Sequence, residues 1–215
     1  MARPQVIELA PRDKILDTAE ELFARRGYAG VGLSEIAEGV GLGKSSLFHH
    51  FRGKAQLYAA VVIRLLTEIE HEVTRALAAG GTPTERLDRW IDTLIDVLGK
   101  HSTYSRLLLR SLFEDDDFSG ELEEERQINA ILARILDGIR NVLKEGMSRG
   151  EFRVASIAHT LQSLIGLIVY HFASGDFGNQ LFRQSLFEPV EVRRRKDEIK
   201  MLLHNGIAVE PRKKE

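Results

Sequence analysis

Residues Gly39–Phe51, GVGLGKSSLFHHF, combine a glycine-rich turn, a Lys-Ser-Ser sequence and two histidines, which are residue types that bind phosphate, metal or nucleic acid. A Walker A loop, G-x-x-x-x-G-K-S/T, holds nucleotide phosphates and usually follows a hydrophobic strand. If Gly43 and Lys44 end that motif, its leading glycine belongs at position 38, which is Glu38. The preceding segment also spaces its apolar residues as an amphipathic helix does. The pattern therefore disfavours a nucleotide-binding loop.

The adjacent histidines His49 and His50 raise the alternative of a metal site. Neighbouring residues on a helix point about 100° apart, so the two rings cannot easily bind one ion. The chain has no cysteine and no HExxH pattern. It also lacks a G-x-S-x-G elbow that would place a serine nucleophile. We therefore predict no metal site, no cofactor and no enzymatic activity.

Three short helices are predicted around this motif, and they favour DNA as the source of the phosphates. They span about Arg12–Arg26, Leu33–Val40 and Lys44–His50, each with apolar residues at helical spacing. Gly41 stands where a tight turn requires a positive φ, which glycine adopts without strain. Two short helices joined by such a turn form a helix-turn-helix, whose second helix enters the DNA major groove.

Residues Ile15–Val61 resemble the DNA-binding domain of the TetR family of transcriptional regulators. The matching phrases are AEELFARRGY at the end of the first helix, IAEGVGLGKSSL across the turn, HHF, and a lysine after the next turn. The rest of the chain resembles the family's helical ligand-binding and dimerisation domain in length, pattern and phrases such as GEFR at 150–153. At Gly32 the family often has a Thr or Ser that caps the second helix, and glycine caps less well.

The start of the third helix is predicted to contact double-stranded operator DNA. Lys44, Ser45 and Ser46 are short or flexible donors, and the helix N-terminus adds a partial positive charge beside them. His49 projects away from Leu47 on the same helix and is predicted to reach a base edge.

Four further DNA contacts are implied by the resemblance. Phe48 and His50 occupy positions where the family often carries aromatic rings that press on sugar and phosphate, although Phe48 suits a core position equally well. Lys54 matches the lysine that holds a phosphate at the start of the fourth helix. Ser34 is the donor that would replace the residue missing at Gly32.

Length and composition favour an intracellular protein. The 215 residues suit one ordinary domain or two small ones, and the net charge of −2 neither indicates nor excludes a local basic face. The most apolar stretch, Leu164–Ala173, is about half of the ~20 residues that a membrane span needs. The N-terminus has no continuous apolar core of a secretory signal. We expect a soluble, cytoplasmic protein with no membrane partner.

An all-α fold of about nine helices is predicted, because the apolar spacing is helical almost throughout the chain. The expected organisation is a disordered arm over 1–11, a helix-turn-helix domain over 12–53, a helical effector-binding and dimerisation domain over 54–207, and a tail over 208–215. Thr82, followed by Pro83 and Glu85, predicts a capping box at the start of one body helix. The acidic segment 115–120 is interpreted as a solvated loop.

Two late helices, at about 156–174 and 189–205, are predicted to form a homodimer interface. The first is apolar around its whole circumference, so one face is expected to meet a partner. The proposed interface residues are Leu161, Leu164, Ile168, Ile199, Leu202 and Leu203.

A pocket for an unknown small-molecule effector is predicted among the body helices. Binding sites between bundled helices combine apolar bulk with polar groups, as ordinary cores also do. The candidates are Trp90, Tyr104, Phe113, Asn129, Gln162, Tyr170 and His171. The favoured function is a ligand-responsive, homodimeric transcriptional regulator, most readily a repressor. The alternative is a DNA-binding regulator with no small-molecule effector, either controlled by a protein partner or constitutive.

Overall fold

The computed structural model describes residues 11–113 and 122–207, and within those ranges it contains ten helices and no strand. The helices are α1 (Pro11–Arg26), α2 (Leu33–Gly39), α3 (Lys44–His50), α4 (Lys54–Ala78), α5 (Pro83–Lys100), α6 (Tyr104–Phe113), α7 (Leu122–Ser148), α8 (Ile157–Ala173), α9 (Gly175–Phe182) and α10 (Pro189–Gly206). The all-α prediction is confirmed. The sequence predicted about nine helices, and α9 is the short helix that it did not separate. The expected tail and acidic loop, and the expected arm up to residue 10, lie outside the described residues.

Local sequence signals account for where several helices begin. At α5 the Thr82 hydroxyl accepts from the Glu85 amide at 3.2 Å, and the Glu85 carboxylate accepts from the Thr82 amide at 2.9 Å. This reciprocal pair is the predicted capping box. At α8 the Ser156 hydroxyl accepts from the backbone N–H of His159. Gly32 caps α2 with no side-chain hydrogen bond, as the sequence led us to expect.

The turn between α2 and α3 ends α2 with two backbone hydrogen bonds. Leu42 N–H donates to the Ala37 carbonyl at 2.8 Å, and Gly41 N–H donates to the Glu38 carbonyl at 3.0 Å. These two bonds form a Schellman motif, which requires a left-handed residue just beyond the helix. Gly41 has φ +70°, so a side chain at this position would strain the turn.

A single hydrophobic core runs through the protein. Every helix except α9 contributes buried apolar side chains to it, from Ile15 in α1 to Leu203 in α10. Helix α4 is central, because it packs against α1 at one end and against α5 and α7 along its length. The Phe23 and Tyr58 rings meet edge to face, with centroids 5.0 Å apart. We call α1–α3 the head and α4–α10 the body, although their apolar cores are continuous.

The predicted dimer-interface residues require a correction. Five of the six are buried within the protomer, because α8 and α10 turn these side chains toward α5, α6 and α7. Their exposed fractions are 5% for Leu161, 1% for Leu164, 0% for Ile168, 1% for Ile199 and 8% for Leu203, against 55% for Leu202. Only Leu202 of this set is therefore available to a partner.

The outward stripe of α8 is polar and small except for one ring. It consists of His159, Gln162, Ser163, Gly166 and Tyr170. The helix was predicted to be apolar on every side, but its polar residues recur at helical spacing and share this stripe. None of the described helices has, by itself, the length and hydropathy to span a membrane. Helices α8 and α9 have that length and hydropathy only when taken together, and the chain bends by 87° between them.

Candidate nucleic-acid interface

Helix α3 exposes nearly all of its side chains, and Leu47 is the one that it buries. Leu47 is fully buried, and Phe51, which ends the helix, is 2% exposed. These two anchors lie four residues apart and fix the helix against the head core. The remaining side chains point outward: Lys44, Ser45, Phe48, His49 and His50 are exposed, and Ser46 is half-buried. The structure therefore brings the six predicted α3 contacts onto the outer part of one helix.

Phe48 lies on the surface and not in the core, with 44% of the residue exposed. This exposure argues against the core position that the sequence left open, and the DNA contact stays a prediction. An aromatic ring held at the surface beside hydroxyl and imidazole groups suits contact with sugar and phosphate.

The N-terminus of α3 offers backbone donors in addition to side chains. Gly43 is the N-cap and makes no side-chain cap, so the first-turn amide groups retain hydrogen-bonding capacity. No acidic residue lies in the first turn. An unopposed helix N-terminus next to Lys44 and Ser45 favours anions such as backbone phosphate.

Lys54 is positioned by an aromatic ring from the head. Its Nζ lies 4.3 Å from the centroid of the Tyr28 ring, and Tyr28 in turn meets Tyr58 at 5.3 Å. Gly53 precedes Lys54 as the N-cap of α4 without a side-chain cap. The ammonium group is thus held at the start of α4 by a cation–π contact. Sequence reasoning selected Lys54 but missed Tyr28 as its positioning residue.

Ion pairs that the sequence did not predict fix the head helices. Arg26 of α1 pairs with Glu35 of α2, next to the predicted phosphate donor Ser34, which is exposed. Arg64 of α4 donates to Asp17 and Glu20 of α1, at 2.6 Å in each case. Burial opposes the charge of Arg64, but these two carboxylates raise its pKa. No local spacing signals such pairs, because their members lie far apart in sequence.

A second polar joint connects α1 with the body through the turn before α6. Thr103 Oγ1 donates to Glu20 Oε1 at 2.6 Å, and Tyr104 OH donates to Glu68 Oε2 at 2.6 Å. His101 Nε2 lies 3.0 Å from the other Glu68 oxygen. Burial raises the pKa of Tyr104, and the hydrogen bond to Glu68 raises it further. Burial works against ionisation of Glu68, but the Tyr104 and His101 contacts lower its pKa.

The predicted effector-pocket residues do not converge on one cavity. Trp90 and Tyr104 belong to the packed core at 1% and 3% exposure. Asn129, Gln162 and Tyr170 are exposed on the outside of α7 and α8. The side chain of Phe113 lies outside the described residues. Residue type alone does not determine which face of a helix a side chain lies on, and these side chains lie on different faces of their helices.

His171 is the exception, since it is a buried group without a hydrogen-bond partner. It is 5% exposed, and its Nε2 has no partner among the described residues. Burial and the nearby charge of Arg195 lower its pKa to about 4, so the ring is neutral at physiological pH. Its edge contacts with Phe172 and Phe182 resemble core packing more than a ligand site.

Clefts are present where the head meets the body. One of about 440 Å³ lies between α1, α4 and α7, with Phe51 and Ile63 as apolar walls and Arg12 and Glu124 as charged ones. Another, of about 400 Å³, lies where α1 meets the turn before α6. Within the part of the chain that the structure describes, no group of three or more His, Asp or Glu side chains is arranged to hold a metal ion.

Family models match most of the chain. The model of bacterial regulatory proteins of the tetR family matches residues 15–61. The model of the tetracyclin repressor-like C-terminal domain matches residues 83–202, which is more than half of the 215 residues. The first match spans the head and the start of α4, and the second runs from α5 into α10.

Individual proteins give the same picture at low identity. The HTH-type transcriptional activator FasR of Mycolicibacterium smegmatis is 26% identical over 147 residues, or 68% of this chain and 65% of FasR. The HTH-type transcriptional repressor KstR of the same organism is 26% identical over 113 residues, or 52% and 55%. The chain thus spans about half to two-thirds of these relatives.

A solved structure matches the whole architecture. The structure of AibR with isovaleryl coenzyme A and operator DNA matches with a TM-score of 0.73 at 20% identity, covering 90% of this chain and 97% of AibR. At that identity the likeness establishes a shared fold.

Proposed function

The chain belongs to the TetR family of bacterial transcriptional regulators, and from that premise we propose that it is a homodimeric repressor released from operator DNA by a small molecule. The family consists of DNA-binding regulators and not enzymes. A protein that regulates bacterial transcription acts in the cytoplasm, where the chromosome lies.

The observation that carries DNA binding is the outward face of α3. Lys44, Ser45 and Ser46 stand at an unopposed helix N-terminus, and His49 lies one turn further along. Buried Leu47 and Phe51 hold that face rigidly outward. In a helix-turn-helix the N-terminal residues of this helix contact base edges in the major groove. Lys54 and Ser34 are proposed to bind phosphates on either side.

Dimerisation is supported by where the protein exposes apolar side chains. Nine large hydrophobic residues are exposed in the described chain, and seven of them lie on α8–α10. They are Tyr170, Phe177, Leu181, Phe182, Val190, Met201 and Leu202. Monomeric proteins rarely expose large contiguous apolar patches. We therefore propose that the two-fold contact is formed by these exposed apolar residues, mostly on α9 and α10, with Leu202 retained from the sequence prediction.

A ligand response is supported by the polar joints between head and body. Any shift of α4 must move Arg64 against Asp17 and Glu20, and any shift of α6 must move Thr103 against Glu20. An effector acts through such joints only to the extent that it binds the two arrangements with different affinity. AibR binds isovaleryl coenzyme A, which makes acyl-CoA thioesters the first class of compound to try.

A second candidate is a TetR-family regulator without a small-molecule effector. It is favoured by one observation, the close packing of Trp90 and Tyr104 where the pocket was expected. Such a protein would respond to a partner protein or repress constitutively.

One experiment separates these candidates. The purified protein selects its operator from a random DNA pool, and the selected duplex is then titrated with isovaleryl coenzyme A and longer acyl-CoA thioesters. Release of DNA by a thioester, with free coenzyme A as the inactive control, supports the ligand-responsive repressor. An operator complex that is unaffected by every thioester favours the second candidate. Failure to select any DNA sequence would contradict the assignment of α3.

A further inference from the structure

Two arginines from different parts of the fold converge on the cleft between α1 and the turn before α6. Arg25 lies in the last turn of α1, and Arg106 lies in the first turn of α6. Both line a cleft of about 400 Å³, which is within the range of small-molecule sites. The cleft thus lies between the head and the body and is bounded by a guanidinium group from each.

Neither guanidinium forms an ion pair with another described residue, unlike several other arginines of this protein. Arg26, Arg64, Arg86 and Arg134 each pair with a carboxylate on another helix. The carboxylate nearest in sequence to Arg25 is Glu21, which also lines the cleft but makes no ion pair with it. The lining therefore carries two positive charges and one negative charge, and neither positive charge is paired with a carboxylate of the described residues.

The Arg106 guanidinium lies against the bend between α8 and α9. Gly175 has φ +56°, and a Cβ atom at that position would lie 2.8 Å from Arg106 Nη2. The absence of a side chain at Gly175 thus makes room for the guanidinium, which is half-buried. A guanidinium fixed by packing loses less entropy when it binds an oxyanion.

The remaining walls supply hydroxyl groups and one aromatic ring. Ser102 and Thr103 line the cleft immediately before α6, whose first-turn amides add donor capacity. Thr103 already donates its proton to Glu20, so Ser102 is the available hydroxyl donor. Phe187 forms the apolar wall. Two guanidinium groups with hydroxyl and amide donors have the chemistry that binds a phosphate or carboxylate oxyanion.

We propose that this cleft binds a phosphate group, either inorganic phosphate or the phosphate of a small aromatic monoester, between Arg25 of the head and Arg106 of the body. The bound oxyanion joins α1 to α6, next to the existing bridge from Thr103 to Glu20. This site is separate from the DNA-binding face and from the effector proposed above, and it does not depend on either.

The test is calorimetric titration of the full chain, without DNA, with inorganic phosphate and with phenyl phosphate at constant ionic strength in chloride. The wild-type protein should bind both saturably, and phenyl phosphate more tightly because its ring can contact Phe187. Arg106→Gln and Arg25→Gln should each weaken binding about tenfold or more. Arg75→Gln is the matched control, because it removes the same charge from an exposed position on α4 and should leave binding unchanged.

Two results would overturn the proposal. One is the absence of saturable binding of either compound below about 10 mM. The other is equal weakening by Arg75→Gln, which would indicate general charge attraction and not a site. If Arg106→Gln disturbs folding at Gly175, the exposed Arg25→Gln variant still decides, since its loss of binding or lack of effect can be read in a folded protein. No DNA is present, so operator binding can fail or succeed independently of this result.

Discussion

The exposed face of α3 and the exposed faces of α8–α10 present opposite chemistry to solvent. Helix α3 displays Lys44, hydroxyl groups and two histidines around one exposed ring, Phe48. The last three helices carry seven of the nine exposed large hydrophobic residues of the described chain. The first face suits a polyanion, whose binding is electrostatic and salt-dependent. The second suits a protein surface that excludes water.

The two faces also differ in how they are fixed. Helix α3 has seven residues and is anchored by Leu47 and Phe51, so its outward residues follow from local spacing. Helix α8 packs against four other helices, and the rotation that those contacts impose decides which residues face outward. The outward residues of a short surface helix can therefore be predicted from its own sequence, whereas those of a core helix depend on the helices that pack against it. Five predictions test this difference, beginning with the largest expected effect.

Leu164→Glu should unfold the protein or destabilise it by at least about 3 kcal/mol, because it places a charge in the protomer core. Leu164 is 1% exposed, whereas Leu202 is 55% exposed. Leu202→Glu is therefore the matched control: it should leave the protomer folded with wild-type helicity, and any loss of stability should come only from loss of the dimer contact. Urea unfolding followed by far-UV circular dichroism measures both. Equal destabilisation by the two variants would mean that the assigned rotation of α8 or α10 is wrong.

Leu202→Arg should convert the dimer to a folded monomer at micromolar concentration. Operator affinity should fall as a result, because a monomer contacts only one half-site. Leu202 and Met201 are adjacent exposed apolar residues on α10, and a charge there would be buried without a partner in a two-fold contact. Sedimentation equilibrium gives the association state, and helicity confirms folding. Leu202→Met, which preserves the apolar surface, should remain dimeric. A wild-type monomer, or a dimer indifferent to the arginine, would move the contact to another face.

The sequence predicted local features of the fold more completely than long-range packing, for physical reasons. The α3 bounds, the positive φ of Gly41 and the Thr82 capping box depend on interactions within a few residues, and each was predicted correctly. The outward residues of α8 depend on long-range packing, and Leu161, Leu164 and Ile168 were assigned to the wrong side. The polar joints at Glu20 and Glu68 join residues that are distant in sequence, so no spacing pattern could predict them.

His49→Ala should change the base preference at one position of each half-site. His49 is exposed on α3, one turn beyond Ser45 and Ser46, and a base-edge contact discriminates by about 1–3 kcal/mol. Repeating the selection from a random DNA pool with the variant measures the change. Arg25→Ala is the comparison, since it removes a charge outside α3 and should preserve the selected sequence. Recovery of the parental operator by His49→Ala would argue against base reading by this ring.

Lys54→Ala should weaken binding to operator DNA and to nonspecific DNA by about the same factor. It should also reduce the slope of log K against log[salt] by about one ion. The Nζ atom lies 4.3 Å from the centroid of the Tyr28 ring, at the N-terminus of α4. Fluorescence anisotropy across a salt series gives the slope. Lys54→Arg should retain the slope, because the charge and the cation–π contact both survive. An unchanged slope in the alanine variant would remove Lys54 from the phosphate contacts.

Tyr104→Phe should have the smallest effect, about 1 kcal/mol at neutral pH, because it removes one hydrogen bond at the joint and touches neither exposed face. The Tyr104 hydroxyl donates to Glu68 and helps to lower its pKa, after the opposing effect of burial. A carboxyl group whose pKa is lowered by folding stabilises the fold fully at pH values above its unfolded pKa of about 4.3. This stabilisation is lost as the pH falls through the folded pKa. The difference in free energy of unfolding between wild type and variant should therefore be largest at pH 7 and become smaller below about pH 4. Urea unfolding at both pH values measures it, and sedimentation should still find a dimer. A difference that is constant with pH would mean that the Tyr104 ring contributes by packing and not through the Glu68 carboxylate.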